Sequence, residues 1–127
     1  MLQREVVDRI CAEPGTSDYG RLSVMAQIYC QVEKLFTVPP GSFTPPPKVY
    51  SAVVRLIPHE TPALTPAELE RMEQFLARVF SQRRKTIRNA MKGLLSEQQL
   101  RQLNLDPSLR PENLSVNDYI NCIRATT

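Results

Sequence analysis

Two short segments carry residue types that could do chemistry. The first is Phe43-Thr44-Pro45-Pro46-Pro47-Lys48-Val49. Proline fixes φ and removes a backbone donor, so such a loop holds its shape without a hydrogen-bond ladder. A phenylalanine on it is a stacking platform for a flat ligand such as a nucleobase. It is equally a core residue in a rigid strand connector, and the residues alone leave both readings open. The second segment is Gln82-Arg83-Arg84-Lys85-Thr86-Ile87-Arg88-Asn89. From Arg78 to Lys92 six cations occur with no acid. On a continuous helix Arg84 and Arg88, four apart, share a face, with Lys85 and Lys92 beside it. Like charges so placed repel, and phosphates relieve the repulsion because guanidinium matches their oxygens with paired hydrogen bonds. Thr86 and Asn89 add neutral donors. The alternative is a solvated face balanced by acids on a neighbouring element. A weaker candidate is Tyr19-Gly20-Arg21-Leu22-Ser23, where Gly20 permits close approach and Arg21 reads best as a structural salt bridge.

Other chemistries find no support. His59, beside Pro58, is the one histidine and has no candidate ligand cluster, which reads as a surface loop. Cys11, Cys30 and Cys122 are odd in number and too far apart for metal or redox motifs, so they read as buried thiols in a reducing compartment. No metal site is expected. No apolar run approaches the ~20 residues that span a bilayer, and Met1-Leu2 leads at once into polar Gln3-Arg4-Glu5, unlike a signal peptide. At 127 residues, 42% hydrophobic and 23% charged, the chain is an ordinary globular one. Residues 1–60 hold six Lys/Arg and six Asp/Glu, and residues 61–127 hold ten and seven. The whole net charge of +3 thus lies in the second half, pointing to a polyanion partner there.

These segments need elements to position them. A helix is expected over 5–12, stopped by Pro14-Gly15. Thr16 or Ser17 could cap a second helix over 18–30, with Leu22, Met25, Ala26 and Tyr29 inward. Val32 to Val38 reads as a strand closed by Pro39-Pro40, and Val49 to Ile57 as one apolar on both faces, hence covered on both. Two strands and two helices cannot provide that cover, so the first half reads as the tail of a larger α/β sheet. After residue 60 the pattern is helical. Thr65-Pro66-Ala67-Glu68, Ser96-Glu97-Gln98-Gln99 and Ser115-Val116-Asn117-Asp118 each read as a capped helix start. Leu69, Met72, Leu76, Val79 and Phe80 form an inward stripe, broken or bent at Ser81-Gln82. A further helix over 83–95 is expected, with Ile87, Met91 and Leu94 inward. Four helices with short loops would make a small helical domain.

The segments also occur in a recognisable order. Met1-Leu2-Gln3-Arg4-Glu5-Val6-Val7 comes first, then Tyr19-Gly20-Arg21-Leu22-Ser23-Val24, then the proline loop with Ser51-Ala52-Val53-Val54-Arg55-Leu56. Gln82 to Asn89 and Arg110-Pro111-Glu112-Asn113-Leu114-Ser115 complete the series. Together they resemble the ribosomal RNA adenine dimethyltransferases, specifically the bacterial small-subunit enzymes linked to kasugamycin resistance. The resemblance implies the α/β tail of a class I S-adenosylmethionine-dependent (Rossmann-like) methyltransferase sheet, followed by a small all-α C-terminal domain. It divides the chain into residues 1–60, the incomplete end of the catalytic domain, and 61–127, a helical rRNA-binding domain.

The activity so implied is dimethylation of the 6-amino groups of two adjacent adenosines near the 3′ end of 16S rRNA. Phe43 would stack on the extruded adenine, with Pro45, Pro46 and Pro47 as loop scaffold. Arg83, Arg84, Lys85, Arg88 and Lys92 would bind rRNA. The implied setting is cytoplasmic, with the small ribosomal subunit as partner, no membrane, no metal, and a monomer at full length. The sequence departs from the family pattern in lacking a glycine-rich loop, any G-x-G, and the Asn-(Leu/Ile)-Pro-(Tyr/Phe) amine-binding motif. No catalytic or cofactor-binding residue is therefore expected in this chain, which should be inactive alone. S-adenosylmethionine would be bound by a missing N-terminal half. Tyr50 stands where the family usually has Asp or Asn, which puts a polar contact there in doubt. The rival readings are a stand-alone RNA- or ribosome-binding module without catalysis, and a relative acting on another RNA, such as the erythromycin-resistance or mitochondrial transcription-factor branches.

Overall fold

The structure is a computed structural model and describes residues 2–39, 50–61 and 63–126. Phe43, Pro45, Pro46 and Pro47 lie outside the described residues. The chain opens with β1 (Leu2–Gln3), α1 (Arg4–Ile10) and α2 (Arg21–Tyr29), then β2 (Cys30–Val38) and β3 (Ser51–Pro58). β3 is central and antiparallel to both neighbours, in the order β1-β3-β2. β1 and β2 therefore run parallel, joined through α1 and α2. Ser51 registers with both Gln3 and Val38. The carboxyl ends of β1 and β2 and the start of β3 thus meet at one end of the sheet.

The described residues do not give the last strand the cover on both faces that its apolar pattern seeks. On β3 only Ala52 is buried; Leu56 and Ile57 are 48% and 46% exposed, and Phe36 on β2 is 56% exposed. The described helices serve one face. Lys34, opposite Val54, reaches Asp8 of α1 at 3.0 Å, whereas Arg55 pairs with its cross-strand neighbour Glu33 on the other. The stripe expected on α2 is corrected. Val24 and Ile28 are buried, while Leu22 and Tyr29 are 44% and 52% exposed. α2 starts at Arg21 rather than Asp18, because Ser23 Oγ accepts from the Gly20 N–H at 3.1 Å and donates to the Arg9 carbonyl. Thr16 instead donates back to the Glu13 carbonyl.

The second half holds α3 (Pro66–Phe80), α4 (Ile87–Ala90), α5 (Glu97–Gln102), a 3₁₀ turn (Pro111–Asn113) and α6 (Val116–Ala125). The three capped starts form as expected. Thr65 Oγ1, Ser96 Oγ and Ser115 Oγ accept from the amides of Glu68, Gln99 and Asp118 at 3.1–3.2 Å, and those side chains accept in return. The continuous helix expected over 83–95 is not present. α3 ends at Phe80, residues 81–85 form a turn, and only four residues are helical before the next turn. The physical reason is a competing set of partners. The Ile87 and Arg88 amides donate to the carbonyls of Leu109 and Pro107 at 2.6 and 3.2 Å, not to a preceding helical turn. Ile87 and Met91 point inward as expected, but Leu95 rather than Leu94 completes the buried set.

One hydrophobic cluster holds this half together and takes Ala12, Tyr19, Val24 and Ile28 from before residue 60. Tyr19 meets Phe80 edge-to-face and Phe80 meets Tyr119 at a tilt within it, with ring centroids 6.4 and 5.8 Å apart. Burial pushes both tyrosine phenols well above their ordinary range.

Candidate nucleic-acid interface

The break after Phe80 reorganises the basic segment. Arg84 and Arg88 do not share a helix face: Arg84 and Lys85 lie in the turn, Arg88 on α4, and Lys92 in the turn after it. All four side chains are exposed. Arg83 is different. Its Nη2 donates to the Tyr19 carbonyl at 2.9 Å, the Ser17 carbonyl at 3.2 Å and Glu112 Oε2 at 3.2 Å. It ties the loop before α2 to the 3₁₀ turn, where the Gly15 amide also donates to the Glu112 carbonyl at 2.6 Å. One arginine of the run is thus balanced by a neighbouring acid, the alternative left open for the whole face. The other four cations form no salt bridge among the described residues.

Arg88 and Lys92 line a cleft of about 540 Å³, together with Asn89 and the α5 start at Ser96 and Gln99. A smaller cleft of about 190 Å³ shares Arg88 and adds Thr86, Arg101 and Ser108. Thr86 Oγ1 is buried without a hydrogen-bond partner among the described residues. Arg101 was not singled out from the sequence; it pairs with Glu97 at 3.1 Å, and only the fold brings it beside Arg88. Asp106, on the same rim, keeps its carboxyl below the ordinary range because the Ser108 amide and hydroxyl both donate to it.

At the sheet end, Tyr50 pairs with Arg4 through backbone and ring. Its carbonyl accepts from the Arg4 amide at 2.9 Å, and the Arg4 guanidinium lies 4.8 Å from its ring centroid. A cavity of about 310 Å³ beside this pair is lined by Glu5, Asp8 and Asp18. Arg21 is exposed and forms no salt bridge among the described residues, so the expected structural ion pair is corrected. His59 is exposed, with Nε2 3.1 Å from the Gln27 carbonyl. Among the described residues no group of three or more His, Cys, Asp or Glu could hold a metal ion. Among them, too, no helix is long and apolar enough to cross a membrane.

Known proteins share this arrangement. The chain is 58% identical over 121 residues to a protein of Nitrosococcus oceani named ribosomal RNA small subunit methyltransferase A, covering 94% of this chain and 46% of that relative. It is 52% identical over 125 residues to the Klebsiella pneumoniae protein of the same name, covering 98% and 45%. The chain therefore spans about half the length, or slightly less, of the curated relatives it matches. Among solved structures, a dimethyladenosine transferase from Plasmodium falciparum superposes with a TM-score of 0.79 at 28% identity, over 94% of this chain and 53% of that one. The 23S rRNA methyltransferase ErmE superposes with a TM-score of 0.67 at 24% identity, over 96% and 51%, a likeness of fold alone. The family model described as ribosomal RNA adenine dimethylase matches residues 1–127, and this chain belongs to that family.

Proposed function

We propose that this chain is the rRNA-docking part of a small-subunit rRNA adenine dimethyltransferase. The complete protein would dimethylate two adjacent adenosines near the 3′ end of 16S rRNA in the small ribosomal subunit, with S-adenosylmethionine as methyl donor. The observation that carries the docking role is the acid-free set Arg84, Lys85, Arg88 and Lys92, exposed along one turn–helix–turn beside the 540 Å³ cleft. Exposed cations set close together relieve their repulsion by contacting phosphates. The names of the curated relatives support the choice of RNA. Residues 1–60 are the end of a class I methyltransferase sheet in this reading, and 61–127 a helical docking domain. The full-length protein is a cytoplasmic monomer.

The residues present do not fit S-adenosylmethionine by themselves. Gly15 and Gly93 sit singly in turns with φ of +89° and +86°, and Gly20 caps α2; none belongs to a glycine-rich strand-to-helix loop. The chain's contribution is binding and positioning, which is where most of the rate of such a transfer arises. Phe43 is the residue proposed to stack on the extruded adenine, with Pro45, Pro46 and Pro47 stiffening the segment around it.

The test is the salt dependence of binding to an RNA stem–loop copying the 3′-terminal hairpin of small-subunit rRNA. Changing Arg84, Lys85, Arg88 or Lys92 to Gln is expected to lower the slope of log K against log salt by about one each. Unchanged slopes for all four would remove the docking role. A stand-alone RNA-binding module would show the same slopes but would gain no methylation activity when combined with the N-terminal part of a relative.

A further inference from the structure

The basic segment does not exhaust the cations on this side of the helices. Arg71, Gln74, Phe75 and Arg78 follow i, i+3, i+4, i+7 spacing on α3 and line one cavity of about 370 Å³. Its floor is apolar, with Phe75 and Ile123 buried and Leu94 half-buried. The two arginines are two turns apart, about 10 Å along the axis. Arg71 Nε is buried and has no hydrogen-bond partner among the described residues. No acid is among the residues lining this cavity. Arg71 as a residue is half-buried, and two arginines lining a cavity without an acid favour an anionic oxygen there.

This cavity adjoins the interface already described. Arg78 Nη2 donates to the Lys92 carbonyl at 2.6 Å, and Leu94 is a wall of both the 370 and the 540 Å³ depressions. Arg88 and Glu97 in turn wall both the 540 and the 190 Å³ depressions, the last holding Arg101. Over the three adjoining depressions five cations (Arg71, Arg78, Arg88, Lys92 and Arg101) outnumber two acids (Glu97 and Asp106), which matches a ligand with repeating charge. A single peptide carboxylate would fill only one.

We propose that these depressions form one track for an RNA strand, in which Arg71 and Arg78 contact the sugar–phosphate backbone on either side of Gln74. This rests on the docking role above and extends it to α3.

Gln74→Glu tests it directly. Gln74 is exposed, and a carboxylate there sits three residues after Arg71 and four before Arg78, so it competes with phosphate for both. The probe is the same labelled RNA stem–loop. At 0.1 M salt the dissociation constant is expected to rise about five- to tenfold and the salt slope to fall by about one, as also for Arg71→Gln. Gln31→Glu, which adds the same charge on β2, should stay within about twofold of the parent. Thermal midpoints of the Glu variants report whether the fold is kept. If Gln74→Glu and Arg71→Gln behave like Gln31→Glu while Arg84→Gln and Arg88→Gln lower the slope, the track is overturned and the docking role stands. If none of the four lowers it, both fall. Binding of a hexaglutamate peptide that Gln74→Glu abolishes, with RNA binding untouched, would overturn the track in favour of a protein partner.

Discussion

Arg83 separates structural from binding cations within one run of sequence. Replacing it with Ala removes hydrogen bonds to two backbone carbonyls and an ion pair with Glu112. Hydrogen bonds from a charged donor contribute about 1.5–3 kcal/mol each when sheltered. Here the arginine side chain is 38% exposed and the Glu112 side chain 25%, so screening reduces the ion pair to about 1 kcal/mol or less. The Tyr19 carbonyl, next to a fully buried ring, is the best sheltered acceptor. The sum is about 2–3 kcal/mol, or roughly 6–12 °C of thermal midpoint for a chain of this size. Arg83→Lys keeps the charge, but its shorter side chain brings Nζ to fewer of the three acceptors that Nη2 serves, and it should recover about half of the loss. The assays are urea unfolding and salt-dependent RNA binding of the same variants. Arg83→Ala should lower stability and leave the binding slope nearly unchanged, whereas Arg84→Ala should do the reverse. A midpoint within 2 °C of the parent, combined with a slope lowered by about one, would refute the clamp.

Ser115→Ala removes the cap of α6, which carries buried Tyr119, Ile120, Cys122 and Ile123, and should cost about 1 kcal/mol in urea unfolding. Cys122 has its thiol pushed up to about 12, chiefly by burial and secondarily by the Asp118 charge. At pH 8 a thiol-reactive disulfide reagent should therefore label Cys11 and Cys30 in the folded chain and Cys122 only after unfolding. The Glu68 carboxyl is held below its ordinary 4.5, mainly by the Thr65 backbone N–H. A depressed folded value contributes stability above pH 4.5 that is lost as pH falls below it. Glu68→Gln should accordingly show a smaller loss of thermal midpoint between pH 5 and 3 than the parent; an identical loss would remove this role for the capping box.

The helix starts were legible because each is set by a local pair, such as Thr65 with Glu68 or Ser115 with Asp118, three residues apart in sequence. The α3 stripe was legible for the same reason: 3.6-residue periodicity records which face is buried. The break before Ile87 was not, because the carbonyls of Pro107 and Leu109 that capture the Ile87 and Arg88 amides lie about twenty residues away. The same long-range geometry assigns Arg83 to a clamp, since Ser17 and Tyr19 are 66 and 64 residues distant. Arg71 stayed invisible because acids at 68, 70 and 73 surround it in sequence, and Arg78, the first cation of the acid-free run, is joined to it only by the fold. On the sheet, the apolar run of β3 correctly signalled two faces seeking cover, although the described residues cover one.

The central claim is that this chain docks on rRNA through a few exposed cations while contributing no cofactor site. Titration calorimetry on the 127-residue chain tests both halves together, once with the RNA stem–loop across a salt series and once with S-adenosylmethionine. Six phosphate contacts, from the four exposed cations and the two α3 arginines, predict a log–log salt slope of about −4 to −5 and no detectable heat with the cofactor. A slope near zero, or saturable S-adenosylmethionine binding by the chain alone, would contradict the account.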